Sequence, residues 1–407
     1  MPVQGRVWLP EGDGPFPLVL IGHSRGGEAV SEAALFNRLP RYPDDGTLTF
    51  DFDFGIRGII AIAPVDHQYH PRDRDTELED TNFLVIHGSH DSDVDAFAGT
   101  AMYSRLRFES CEDCFKSSFY LVGANHGQFN TGWGRYDTGL PAAKMLNVQP
   151  LMDPAAQRNV ARVLFTAFLE TVLHERREYR HFLARPESGA HWFPEGVTYL
   201  SNYADARQIE LADFEEDADL LSAGESVESV VGRGLSLWKE AEVPLKWRDA
   251  DSAAVLLGWG GEDAGEPPVF EINLLAGGLA VAPDMTLSFS AAMATDAPEG
   301  VEEFEVPESL DFEVELLDTD DRSARVALST RRLLYPQVDP VLYKLEALSG
   351  RASSEATFQR YVFRFSEWQE VNPELNITAL KALRFVFPAQ VPASVWLDDI
   401  AISPDGY

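Results

Sequence analysis

Ser24, Asp91 and His126 have the residue types and the settings for nucleophilic catalysis. A serine hydroxyl is a weak nucleophile at neutral pH. An imidazole must take its proton, and a carboxylate must fix the imidazole's tautomer and stabilise its charged form. Ser24 lies where the apolar run Leu18-Val-Leu-Ile21 stops at Gly22-His-Ser-Arg-Gly26 and a small-residue helical pattern, residues 28–39, begins at once. Strand, sharp turn and helix with G-x-S-x-G at the turn make a nucleophile elbow, in which flanking glycines leave room for the turn and the hydroxyl stands clear of the sheet. The plain alternative is a Gly/Ser-rich turn that merely joins a strand to a helix. Against it, the other two residue types follow at strand ends: Asp91 in Gly88-Ser-His-Asp91 and His126 in Ala124-Asn-His126. Asp93, two residues on from Asp91, is the substitute acid.

The elements that must position these residues alternate. Residues 17–21, 59–64, 83–87 and 115–123 read as strands, and residues 96–107 have helical spacing. The inner runs are apolar on both faces, which predicts a mostly parallel sheet with helices on both sides. Asp153-Pro154 reads as an N-cap and first helical residue, and Val160, Val163, Leu164, Phe168 and Val172 make an apolar stripe running to about His174. Residues 6–9 read as a short strand that would partner the one carrying Ser24. His23, Phe129 and Trp133 are candidates to line a substrate pocket beside the catalytic histidine, with packing of a surface loop as the alternative.

Two further patterns compete for a role. His67-x-x-His70 and His87-x-x-His90-Asp91 place four imidazoles and a carboxylate in loops after two strands, a set able to hold a divalent ion, but loop spacing imposes no ligand geometry. The serine reading needs no metal and no other cofactor. Cys111 and Cys114, the two cysteines of the chain, form a C-x-x-C. With no second pair for zinc and no thioredoxin-like setting, a loop with two incidental thiols is the expectation, a small disulfide or a redox pair the alternative.

At 407 residues the chain is long for one domain, and its 45% hydrophobic content is enough for separate cores. Asp and Glu outnumber Lys and Arg by 66 to 33, for a formal net charge of -33. Such a surface repels nucleic acid and anionic membranes. No run approaches the about 18 apolar residues of a membrane span. The N-terminus shows no signal peptide, although it reads as though it were incomplete, so localisation stays open.

From about Arg185 the character changes to short β-rich runs between acidic and Gly/Pro turns: residues 197–200, 235–239, 254–259, 269–274, 286–289, 312–316, 360–365, 383–387 and 395–400. That pattern predicts a β-sandwich, with the division of the chain at 1–180 and 181–407. Asp318-Thr-Asp-Asp321 lacks the Gly and distal Glu of an EF-hand and reads as a solvated turn. Val395-Trp-Leu-Asp-Asp-Ile-Ala-Ile-Ser403 resembles the last strand of galactose-binding-like jelly rolls, a resemblance that implies carbohydrate or polymer recognition.

Gly22-His-Ser-Arg-Gly-Gly27, His87-Gly-Ser-His-Asp91 and Gly123-Ala-Asn-His-Gly127 resemble the α/β-hydrolases, closest to serine esterases related to chlorophyllase and the polyester hydrolases. The order Ser, Asp, His is that of this fold. The resemblance implies hydrolysis of a small or polymeric carboxylic ester through an acyl-enzyme on Ser24, with the N–H of Arg25 as one oxyanion donor. It also implies a departure: only 17 residues precede the strand of Ser24, where the family has several strands and the loop that gives the second donor. The sequence reads as though two strands were fused and those between them lost. Ser24 would then sit near a sheet edge with apolar surface exposed, and the chain would be a poor catalyst or a hydrolase-like scaffold.

Overall fold

Period-two alternation decides the first sheet. In Ile59-Ile-Ala-Ile62, Ile59 and Ala61 join one apolar cluster with Ala34, Phe83, Val85, Met102 and Tyr103, while Ile60 and Ile62 join another with Leu84, Ile86, Val160, Leu164 and Phe168. A strand whose two faces each meet a core must have helices on both sides. The computed structural model, which describes residues 6–8, 11–12, 14–69, 71–215, 217–260, 265–345 and 354–404, has this arrangement. β1 (Leu18–His23) carries the turn into α1 (Arg25–Phe36); a hairpin, β2 (Arg41–Tyr42) and β3 (Asp45–Thr49), precedes β4 (Ile56–Ile62); β5 (Asn82–Gly88), α2 (Gly99–Ser104), β6 (Phe115–Leu121), α3 (Pro154–His174), α4 (Arg177–Ala184) and β7 (Tyr199–Asp205) follow. The sheet order is β1-β4-β5-β6-β7, the first four parallel and β7 antiparallel to β6. α3 begins as read: Asp153 accepts hydrogen bonds from the N–H groups of Ala155 and Ala156, with Pro154 at the first turn.

Three expectations are corrected. Residues 6–8 form no strand and leave Val7 and Trp8 74% and 80% exposed, while Leu9 lies outside the described residues. Among the described residues β1 therefore pairs with β4 alone, and Ile21 on it is 47% exposed. Residues 197–200, read as part of the second unit, enter β7 and close the far edge of the first sheet, which thus runs past the expected division at 180/181. Cys111 and Cys114 are joined in a disulfide rather than left as thiols.

The remainder is two sheets packed face to face. Its strands are β8 (Ile209–Ala212), β9 (Val227–Arg233), β10 (Leu237–Pro244), β11 (Asp249–Trp259), β12 (Val269–Leu274), β13 (Thr286–Met293), β14 (Glu313–Asp318), β15 (Ser323–Ala327), β16 (Gln359–Arg364), β17 (Leu380–Val386) and β18 (Ala393–Ser403). One sheet runs β10-β11-β18-β13-β16 with β8 on β18, the other β15-β14-β17-β12-β9. Trp259, Phe270, Phe289, Phe312, Phe363, Phe385 and Leu397 fill the space between them. Residues 318–321 make the tight β14–β15 turn, where Asp318 accepts from the N–H groups of Asp320 and Arg322. On the outer face of the second sheet Arg233, Glu271, Arg384, Glu315 and Arg325 form an alternating ion-pair ladder across five strands. α2 and β7 lie against the first sheet of the sandwich. At that junction Arg105 and Arg248 each bridge Asp66 and Asp251.

α1 holds the loop after β4 through two buried carboxylates. Glu28 accepts from the N–H groups of Gln68 and Tyr69 at 2.8 and 3.2 Å, and Glu32 accepts from the Thr76 hydroxyl. Burial, with the nearby charges of Glu28 and Asp66, pushes the Glu32 carboxyl up to about 7. A raised carboxyl stabilises the fold when protonated, and that contribution is lost as pH rises from the unfolded value near 4.5 through 7. Glu32→Gln, which cannot ionise, should raise stability by about 1–2 kcal/mol at pH 8 and leave it unchanged at pH 4, read as thermal midpoints at the two pH values.

Candidate active site

Ser24 follows the last residue of β1 and precedes the first of α1, so its backbone must reverse within one residue. It does so at φ 58°, ψ -124°, a conformation that costs a non-glycine residue about 1–3 kcal/mol. The strain is held by Ser24 N–H donating to Ile62 O and Gly27 N–H donating to Ser24 O, both at 2.9 Å. Close packing sets the flanking residues: a Cβ on Gly22 would lie 1.9 Å from the carbonyl oxygen of Gly26. A serine at a helix start ordinarily caps it, accepting a bond from the first turn. Ser24 makes no such bond, so its hydroxyl is not spent on the helix. The N–H of Arg25 heads that helix, where amide groups have no partner in the preceding turn.

The loops after β5 and β6 bring the other two residues together. His126 Nδ1 lies 2.7 Å from Asp91 Oδ2, both side chains at most 2% exposed. Asp91 Oδ1 also accepts from the N–H groups of Asp93 and Val94 at 2.9 and 2.7 Å. Burial pushes the Asp91 carboxyl up to about 6, against the pull of its bond with His126. Burial alone would lower His126, but the hydrogen bond and charge of Asp91 outweigh it and hold the imidazole above its ordinary value. A carboxylate accepting three hydrogen bonds is built to stay ionised, so the pair's shared proton belongs on the ring.

Three rings close over this pair. His23 stacks on His126 at 4.4 Å between centroids and on Trp133 at 4.9 Å, with Phe129 edge-on to His23 at 6.0 Å. Burial and the neighbouring His126 hold His23 down at about 3, so it stays neutral. The sequence-derived pocket residues are thus brought together, although as a cover on His126. Beneath it, His126 Nε2 is sealed from solvent and makes no hydrogen bond, with Asp93 Oδ2 3.5 Å away at poorer geometry. The Ser24 hydroxyl, at the end of β1, therefore makes no bond to Nε2, although His23 beside it stacks on the His126 ring. A buried ring nitrogen without a partner costs about 1–3 kcal/mol, which a hydroxyl would relieve.

Two residues unnoticed in the sequence hold the loops. Asp137 accepts from Ser92 N–H and Oγ on the acid loop and from the N–H groups of His126 and Gly127 and the Asn125 amide on the histidine loop. Nothing in Tyr136-Asp-Thr signals this. Gln157 on α3 donates to Asn125 O at 2.7 Å and accepts from Asn125 N–H and the Gln128 amide. Its signal was legible: a polar residue on the face of Val160 and Leu164.

The loop histidines of the metal reading are otherwise engaged. His67 pairs with Asp75, His87 Nε2 lies 2.9 Å from Val94 O, and His90 Nδ1 lies 2.8 Å from Ser89 Oγ, while His70 lies outside the described residues. Among the described residues the group with metal-ligand spacing is Asp66, His67 and Asp251, whose two carboxylates already face Arg105 and Arg248.

Gly22→Ala should open the elbow and cost more than about 2 kcal/mol, since the obstructing atoms are backbone. Gly46→Ala, where a Cβ meets open space, should be near neutral in the same denaturant titration. Asp137→Asn should speed hydrogen exchange at the amides of Ser92, His126 and Gly127 with the protection of β5 and β6 retained.

No protein-family profile matches this chain, and no curated protein matches it. Solved structures similar to it include a family 30 carbohydrate-binding module, 11% identical over 49% of this chain and 89% of that one with a TM-score of 0.32. An exo-beta-agarase is 11% identical over 48% of this chain and 25% of its own, TM-score 0.32. A family 11 carbohydrate-binding module from Clostridium thermocellum, solved with a beta-1,3-1,4-mixed-linked tetrasaccharide, is 9% identical over 49% of this chain and 98% of its own, TM-score 0.29. Each likeness spans about half of this chain, and at this level it identifies no ligand.

Proposed function

We propose that the chain is a serine hydrolase that cleaves carboxylic esters through an acyl-enzyme on Ser24. The observation that carries the reading is the strained, uncapped Ser24, next in the chain to the His23 ring that stacks on the buried Asp91–His126 pair. In this reaction Ser24 Oγ attacks the ester carbonyl carbon as its proton passes to His126 Nε2, and Asp91 stabilises the imidazolium. The tetrahedral oxyanion takes a hydrogen bond from Arg25 N–H. Collapse breaks the carbon–oxygen bond of the leaving group, which departs with the Nε2 proton. Water, deprotonated by the same nitrogen, then attacks the acyl-serine and restores the hydroxyl.

A second reading has its own support: a catalytically impaired hydrolase-like scaffold whose sandwich recognises a carbohydrate or polymer. The open Ser24–His126 leg favours it, as does the outer edge of β1, where among the described residues no strand pairs to supply a loop for a second oxyanion donor. Loss of one such donor costs about 10²–10³ in rate.

A fluorophosphonate probe separates the two. The first reading expects labelling of the full chain that disappears in Ser24→Ala and falls by at least a hundredfold in His126→Ala. Because the base must be neutral and its pKa is held above 6.5, the labelling rate should climb with pH through a midpoint above 6.5. An unlabelled wild-type chain with measurable retention on a polysaccharide column would establish the second reading.

A further inference from the structure

On the hydrolase reading, we infer that the β-sandwich is a working part of the catalytic centre, with Glu355 a positioning residue that holds the Asp91 loop from the other side of the junction. Phe97, six residues after Asp91, donates its N–H to both carboxylate oxygens of Glu355, at 3.0 and 3.1 Å. Lys246 Nζ donates to Asp95 O and lies 4.0 Å from Glu355 Oε1, and Trp247 Nε1 donates to Asp95 Oδ1 at 2.7 Å. The side chains of Glu355 and Lys246 are 1% and 5% exposed.

From this clamp a continuous set of contacts reaches the imidazole. The Phe97 ring lies 5.4 Å from that of His87, whose Nε2 is 2.9 Å from Val94 O. Val94 N–H donates to Asp91 Oδ1, and Asp91 Oδ2 meets His126 Nδ1, each at 2.7 Å. The histidine side is gripped as well: Asn147 N–H donates to Leu342 O at 2.8 Å and Lys344 N–H to Met145 O at 2.9 Å, at the end of the loop that carries Trp133 and Asp137.

The physical reason for coupling is burial. A carboxylate and an ammonium taken out of water are tolerated only with their hydrogen bonds made, so this junction has one favourable register. A sandwich merely tethered to the first unit would meet it through exposed polar side chains. This one instead satisfies a backbone N–H six residues from the triad acid, in a segment whose following helix has an alanine, Ala98, at its cap position.

The test uses the full chain. The charged and titratable groups facing His126 include Asp91, Asp93, Asp137, His23 and His87, with Asp91 bonded directly to the ring, so the imidazole reports any shift of Asp91. Glu355→Gln should slow fluorophosphonate labelling at least tenfold and move the NMR titration of His126 to lower pH. Arg325→Gln, in the outer ladder, should move neither. If Glu355→Gln fails to fold, Trp247→Phe, at a 58% exposed position, should give smaller changes of the same sign. A folded Glu355→Gln or Trp247→Phe chain with wild-type labelling and an unmoved His126 titration would overturn the inference. A wild-type chain that takes no label would sink the hydrolase reading instead, and the His126 titration would still decide the coupling.

Discussion

Parallel pairing in the first sheet is the constraint on which the rest depends. Strands that run in one direction end at one edge, and here three of those ends carry Ser24, Asp91 and His126. The pairing of His23 with Ile62 and of Gly88 with Leu121 sets how far each loop stands from the next. With that spacing, two loops 35 residues apart in sequence meet in a buried 2.7 Å contact between Asp91 and His126.

The sheet is supported unevenly, and the site shows it. β5 and β6 each have a neighbour on both sides, while among the described residues β1 has β4 alone. The acid and histidine loops are accordingly dense with bonds, from Asp137 between them, from Gln157 on α3 and from Glu355 across the junction. The elbow depends on a few backbone bonds to the ends of β1 and β4. The one leg of the constellation that does not close, Ser24 to His126, is the leg that joins the half-supported strand to the fully supported ones.

Charge is distributed by the same logic. A chain of net charge -33 has few cations to spend, and this one places several where carboxylates are buried or crowded: Arg105 and Arg248 at the junction, Lys246 beside Glu355, and three arginines in the ladder of the outer sheet. Such partners hold particular registers between elements more than they add stability, because the desolvation of each buried ion offsets much of its attraction.

The sequence by itself determined what depends on neighbouring residues. The Gly-flanked serine dictated a reversal between strand and helix, the two-sided apolar runs dictated a sheet covered on both faces, and Asp153-Pro154 dictated the start of α3. What depends on distant residues was decided only by the tertiary structure. A strand of residues 199–205 could belong to either unit, because its alternation fits any edge, and pairing with β6 settled it. Asp137, Glu355 and Lys246 look like ordinary charged loop residues until the fold gives them partners far along the chain. A hydrogen bond across 258 residues, as between Phe97 and Glu355, has no local signature, since its energy comes from burial that only the assembled junction provides.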